Sequence, residues 1–177
     1  MHADTKGTYP NQCLAEKGER IEKSPALVQT NMTPMKDRAF ELTDIVRETG
    51  YQVRRYFGPG LLEKVYENSL AHRLRKIGLK VEQQKQLIVR DEDGTLVGEY
   101  FADLVVEDLL ILELKAAKAI ANEHIAQILG YIRASNMEHG AIVNFGAPKF
   151  QIRKLGKQDL TQPSTFQRFA QAICALL

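Results

Sequence analysis

An α/β domain is predicted by the way hydrophobic periodicity changes along the 177-residue chain. Two segments with apolar residues at three- and four-residue intervals come first, and three runs close to period two follow. A further helical segment then separates the third run from two more strands. The expected order is helix, helix, three strands, helix, strand, strand, helix.

Residues 1–36 carry Gly, Pro, Thr, Asn and mixed charges without apolar periodicity, so they are expected to be a flexible N-terminal arm. The domain is expected to span residues 37–177. In the first helix Phe40, Leu42, Ile45, Val46, Val53 and Phe57 form the apolar face, and Gly58-Pro59-Gly60 ends it. The second helix follows at once, with Leu61, Leu62, Val65, Tyr66, Leu70, Leu74 and Ile77 as its buried stripe and Gly78 as its stop. Val81 to Arg90 then reads as a strand, Asp91-Glu92-Asp93-Gly94 as a turn, and Leu96 to Val106 as the partner strand. Leu109 to Lys115 is a third and more apolar strand. Ile120 to Ala134 is helical on Ile125, Ile128, Leu129 and Ile132, Ala141 to Phe145 returns to strand, and Phe150 to Leu155 adds an edge. Ser164 to Leu177 is expected to close the domain as a helix with Phe166, Phe169, Ile173 and Leu176 inward.

Composition bounds the function. A 44% hydrophobic content supports a single packed core, and no stretch approaches the ~20 apolar residues of a membrane span. The first thirty residues lack the apolar core of a secretory signal, which makes the cytoplasm the expected compartment and excludes the membrane as a partner. Cys13 and Cys174 cannot build a zinc cluster or a disulfide framework, and Cys174 is expected in the core. The net charge of +2 does not by itself argue for nucleic acid. Lys76, Lys80, Lys85, Arg90, Lys118, Arg133, Lys149, Arg153 and Lys154 supply positive charge that a fold can gather around a groove or leave scattered.

The informative feature is charge inside the apolar strand Leu109-Leu110-Ile111-Leu112-Glu113-Leu114-Lys115. Alternation puts Glu113 and Lys115 on one face, where each costs several kcal/mol unless paired or metal-bound. Asp103 ends the preceding strand. A three-residue loop at Glu107-Asp108-Leu109 pairs Val106 with Leu110 and sets Asp103 opposite Glu113; a two-residue loop sets it opposite Leu112 instead. Like charges in that position call for a cation. Oxygen ligands without His or Cys suit Mg²⁺ or Mn²⁺, beside which Lys115 can orient water or offset phosphoryl charge. This chemistry is metal-assisted phosphodiester hydrolysis.

These residues resemble the PD-(D/E)xK nuclease superfamily: Asp103, then Glu113-x-Lys115, then Gln127-x-x-x-Tyr131, the last similar to an element of its RecB-like branch. Gly60-Leu61-Leu62-Glu63-Lys64-Val65-Tyr66 resembles the signature of the small bacterial GxxExxY proteins, a group assigned to that superfamily. Ala102 precedes Asp103 where the superfamily's name has proline. The resemblance implies a restriction-endonuclease-like fold, a mixed β-sheet flanked by helices. It implies Asp103 and Glu113 as metal ligands with Glu63 as a helix-borne third, Lys115 as the catalytic lysine, Gln127 and Tyr131 as supporting or substrate-binding groups, and DNA or RNA as substrate. Cleavage of both strands of a duplex would call for two sites and hence a homodimer.

Each feature has a plainer reading. The three charges also fit a structural ion-pair network, Glu63 also favours the positive end of its helix, and Tyr131 also fits a core position with its hydroxyl at the rim. His124 borders the Gln127 face as a supporting or surface group. The rival to a nuclease is a catalytically silent module that binds nucleic acid or a protein partner through the same fold. A hydrolase of small phosphate esters is a third reading.

Overall fold

The structure is a computed structural model and describes residues 35–135 and 137–161. The expected arm, with Cys13, and the closing helix over Ser164 to Leu177, with Cys174, lie outside the described residues apart from the last two positions of the arm. The elements are α1 (Met35–Phe57), α2 (Glu63–Lys76), β1 (Val81–Arg90), β2 (Leu96–Val106), β3 (Leu110–Lys115), α3 (Asn122–Ala134), β4 (His139–Asn144) and β5 (Gln151–Gly156). A short 3₁₀ turn, Lys157–Thr161, follows β5 and was not expected from sequence. No helix among the described residues is long and apolar enough to cross a membrane.

The five strands form one mixed sheet in the order β1-β2-β3-β4-β5. β3 and β4 are parallel and every other neighbouring pair is antiparallel. A parallel pair needs a crossover, and α3 is that crossover. The sheet is therefore apolar on both faces. On one, Leu104, Leu110, Leu112, Leu114 and Val143 pack with Leu42, Val46 and Val53 of α1 and Tyr66, Leu70 and Leu74 of α2. On the other, Val105, Ile111 and Ile142 pack with Ile125, Ile128, Leu129 and Ile132 of α3. This is the expected α/β architecture, a mixed sheet flanked by helices.

The helical stripes differ from expectation at their ends. Phe40 and Phe57 near the two ends of α1 are exposed, as are Leu61, Leu62, Val65 and Ile77, because α2 begins only at Glu63 and its buried face is Tyr66, Glu67, Leu70, Ala71 and Leu74. Gly58 and Gly60 turn the chain with φ of 71° and 100°, a conformation that costs glycine little. Tyr66 fixes that turn: its hydroxyl donates to the Gly58 carbonyl at 2.7 Å and accepts from the Leu61 amide at 3.2 Å, while its ring stacks on Phe145 at 4.6 Å.

The hairpin between β2 and β3 has the three-residue loop. Val106 pairs with Leu110, Val105 with Ile111 and Leu104 with Leu112, and Glu107 and Asp108 both take positive φ near 54° to close the turn. Pairing ends at Leu104. One residue further out the β1–β2 ladder also skips Gln84 and Asp103, and Gln84 has φ of 52°. Beyond that point the faces exchange. Val81 and Leu104 lie in the α1/α2 core, whereas Leu87 and Ala102, which simple alternation would put on the same sides, lie against α3. The outer hairpin is thereby turned toward α3.

Just past β4, Gly146 passes so close to β3 that an added Cβ would lie 2.3 Å from the Ala116 carbonyl carbon and 2.6 Å from the Ala117 nitrogen. Backbone cannot yield as a flexible side chain does. Gly146→Ala is expected to lower unfolding stability in urea by roughly 2–3 kcal/mol, the scale of overpacking. An unchanged midpoint would contradict this close approach.

Candidate active site

The site lies where β2 leaves β3. Past Leu104 the departing strand no longer pairs with β3, and the Asp103 carboxylate takes over as acceptor: Oδ2 accepts from the Leu114 amide at 2.7 Å. Asp103 is thus held one ladder position from Glu113 by a backbone bond. Burial pushes its pKa up, the nearby Glu67 charge adds to this, and the bonds from Leu114 and Gln84 with the Lys115 charge pull the other way.

Glu113 projects from β3 toward α3, on the face that carries Ile111. Lys115, two residues on, reaches back to it with Nζ 2.5 Å from Oε1. Glu113 is 2% exposed, and its second oxygen, Oε2, has no hydrogen-bond partner. Desolvation, joined by repulsion from Asp103 and Glu63, outweighs the Lys115 pair and pushes its pKa up to about 7. A buried carboxylate that lacks a donor on one oxygen is costly unless something positive completes it.

Gln127 and Tyr131 stand one turn apart on α3, with Gln127 Nε2 donating to the Tyr131 hydroxyl at 2.6 Å. Tyr131 is buried. Burial and the Glu113 charge raise its pKa to about 12, so it remains a neutral phenol directed toward the carboxylate. Glu63, at the first turn of α2, is exposed, and its Oε1 accepts from the Ala116 amide at 2.9 Å, just past Lys115. His124 bonds through Nδ1 to the Ala121 amide at 3.2 Å, and burial and the Lys115 charge lower its pKa. The structure therefore gathers Asp103, Glu113, Lys115, Tyr131 and Gln127, with Glu63 at the strand end.

Two participants were not singled out from sequence. Glu67 is 3% exposed on α2, accepting at Oε1 from Lys64 at 2.7 Å and Gln83 at 2.9 Å and at Oε2 from Gln84 at 3.0 Å. Gln84 also donates to Asp103 Oδ1 at 3.2 Å, linking the helix carboxylate to the strand carboxylate. Glu67 lies four residues after Glu63, one turn along, so its place inside the Tyr66–Leu70 stripe was a readable signal. Gln84 lies in the polar run Glu82-Gln83-Gln84-Lys85-Gln86 and carries none. Asn144, fully buried at the end of β4, secures the far edge by accepting from the Ala117 and Gly146 amides, both at 3.1 Å.

The donor set fits a hard divalent cation. Among the described residues no group of three or more His, Cys, Asp or Glu side chains is arranged to hold a metal. Magnesium commonly takes only one or two carboxylates and fills its shell with water and phosphate oxygens, so the pair Asp103 and Glu113 is sufficient. The unpartnered Glu113 Oε2 is the oxygen such an ion would complete.

Among solved structures the chain is similar to one described as "Crystal structure of SSO0001", at 14% identity and a TM-score of 0.48, covering 80% of this chain and 83% of that one. No curated protein matches it. A family model described as the PD-(D/E)XK nuclease superfamily matches residues 40–155, from α1 into β5 and across each of the residues gathered above. With that match extending over well over half of its length, the chain belongs to the PD-(D/E)XK nuclease superfamily.

Proposed function

We propose that the protein is a Mg²⁺- or Mn²⁺-dependent nuclease that hydrolyses nucleic-acid phosphodiester bonds at Asp103, Glu113 and Lys115, and that within its superfamily it is a GxxExxY protein, on Gly60, Glu63 and Tyr66. The observation that carries the reading is the buried, half-satisfied Glu113 beside a second carboxylate. A charged group so placed weakens the fold, and clustered raised carboxylate pKa values mark sites built for chemistry.

Asp103 and Glu113 would hold the ion, with Glu63 as a third oxygen donor at the strand end. When bound, the ion supplies Lewis acidity and lowers the pKa of a coordinated water. Lys115, two residues from Glu113, would orient the attacking water with its ammonium and offset charge growing on the phosphoryl oxygens. Gln84 and the Leu114 amide hold Asp103 from two sides, so it need not reorganise on loading. Gln127 and Tyr131 line the α3 wall and offer neutral hydrogen bonds to substrate.

One observation favours the rival, a catalytically silent binding module: Glu113 Oε1 and Asp103 Oδ2 already have partners in Lys115 and Leu114. Activity separates the two. With labelled single- and double-stranded DNA and RNA, cleavage is expected with Mg²⁺ or Mn²⁺ and none in EDTA. Lys115→Ala is expected to slow it by roughly 10²–10³-fold with the fold retained. Metal-independent cutting, or an unaffected variant, would exclude the assignment.

Calorimetric titration with Mn²⁺ is expected to show at least about tenfold weaker binding for Asp103→Asn, a loss seen even for groups that merely orient ligands. Equal isotherms would remove Asp103 as a ligand. Proton linkage gives a third expectation. Glu113 holds its proton more tightly folded than unfolded, so metal-free stability should fall as pH rises from 4.5 toward about 7. Mn²⁺ affinity should rise over the same window and level off above it, since the carboxylate must be ionised to bind. Affinity independent of pH from 5 to 8 would show that Glu113 does not gate binding.

A further inference from the structure

The outer half of the β1–β2 hairpin and the C-terminal half of α3 face one another across a cleft of about 570 Å³. Arg90 and Tyr100 line it from the hairpin, Gly130 and Arg133 from the helix. The cleft exists because the faces of the ribbon exchange at Gln84 and Asp103. Its nearest link to the site above is Tyr131, whose ring meets that of the lining residue Tyr100 at 5.5 Å and 54° and whose hydroxyl is directed toward Glu113.

Three properties of its lining point to one occupant. Arg90 and Arg133 place two cations on the cleft with no ion pair among the described residues, and Arg90 is oriented by Nη1 donating to the Gly94 carbonyl at 2.9 Å. Tyr100, supported from one side by Tyr131, is 45% exposed. Gly130 lies inside a helix, where glycine is a stability cost, yet no atom lies within 4 Å of where its Cβ would be. Packing does not demand that glycine; the cleft uses the room.

We propose that this cleft binds a short stretch of unpaired nucleic-acid strand and delivers it to Glu113, a reading that rests on the nuclease assignment and names its substrate as single-stranded. Arg90 and Arg133 take backbone phosphates, and Tyr100 stacks on a base. The base must be unpaired, because within a duplex its faces are already covered by its neighbours. The volume is that of a small-ligand site, room for a short piece of one strand. At the hairpin tip Asp91, Glu92 and Asp93 repel phosphate and close the outer end of the track.

The test is fluorescence anisotropy with the full chain in EDTA, where no turnover occurs, using a labelled oligo-dT, an oligo-rU of equal length and a blunt DNA duplex. Both single strands are expected to bind at least about tenfold more tightly than the duplex, their ratio reporting any preference between DNA and RNA. Tyr100→Ala should weaken binding roughly tenfold and Tyr100→Phe should restore it, since stacking needs the ring and not the hydroxyl. Arg133→Gln should reduce the salt slope of log K by about 0.7, one phosphate contact on a single strand. Gly130→Leu should abolish binding while its thermal midpoint stays level or rises, which separates blocking from misfolding. Arg38→Ala, on α1 across the sheet, should change nothing. Duplex bound as tightly as single strand, or Tyr100→Ala and Gly130→Leu binding as wild type, would overturn the proposal. If those two variants also cleave as wild type, the cleft falls and the nuclease stands. If the cleft binds strand as expected but Lys115→Ala cleaves undiminished, the catalytic assignment falls and the cleft stands.

Discussion

Once β2 has left β3, the amide of Leu114 needs an acceptor, and the Asp103 carboxylate is the group that provides it. Much of the molecule's chemistry depends on that substitution of side chain for backbone. It holds a carboxylate one ladder step from Glu113, which a continuous ladder would place there only as an ordinary cross-strand neighbour. It coincides with the interruption opposite Gln84, where a non-glycine residue accepts a left-handed backbone. The same interruption exchanges the faces of the outer hairpin and turns it over α3. The carboxylate pair, its second support and a neighbouring cleft therefore share one local origin.

Comparison of the two buried glutamates explains which is structural. Glu67 receives three donors over both oxygens, from Lys64, Gln83 and Gln84, so its buried polar atoms are satisfied within the fold. Glu113 receives one donor on one oxygen and faces Asp103 and Glu63 as like charges. Lys115 serves one oxygen, the Tyr131 phenol is directed toward the group, and the second oxygen has no hydrogen-bond partner within reach. Glu67 belongs to the scaffold that holds Gln84, and Gln84 in turn steadies Asp103.

The far side of the site is secured by close backbone approach. Asn144 bonds the amides of Ala117 and Gly146, the Phe145 amide donates to the Lys115 carbonyl at 2.7 Å, and Gly146 leaves no room for a Cβ. These contacts fix the main chain from the Lys115 carbonyl to Ala117, the base from which the Lys115 side chain reaches Glu113. The lysine of the proposed reaction is thus placed by backbone and Asn144 contacts at its main chain and by Glu113 at its ammonium.

Over the described residues sequence alone determined the element order and the strand limits to within a residue or two, because these depend on local period; it posed two hairpin registers, and the pairing of Val106 with Leu110 decided between them. Asp103, Glu113 and Lys115 were legible for a local reason as well: a charge in a hydrophobic strand is anomalous wherever the strand goes. The buried faces of α1 and α2 were only partly legible. Leu61, Leu62 and Val65 are apolar yet lie on the surface, since where α2 starts and what it meets are decided by the Tyr66 clasp on the Gly58 turn. Glu67, Gln84 and the cleft belonged wholly to the tertiary structure. A glutamine in a polar strand and a glycine in a helix gain meaning only when a ladder interruption brings two carboxylates to one and an open wall to the other, and such an interruption leaves no period in the sequence to read.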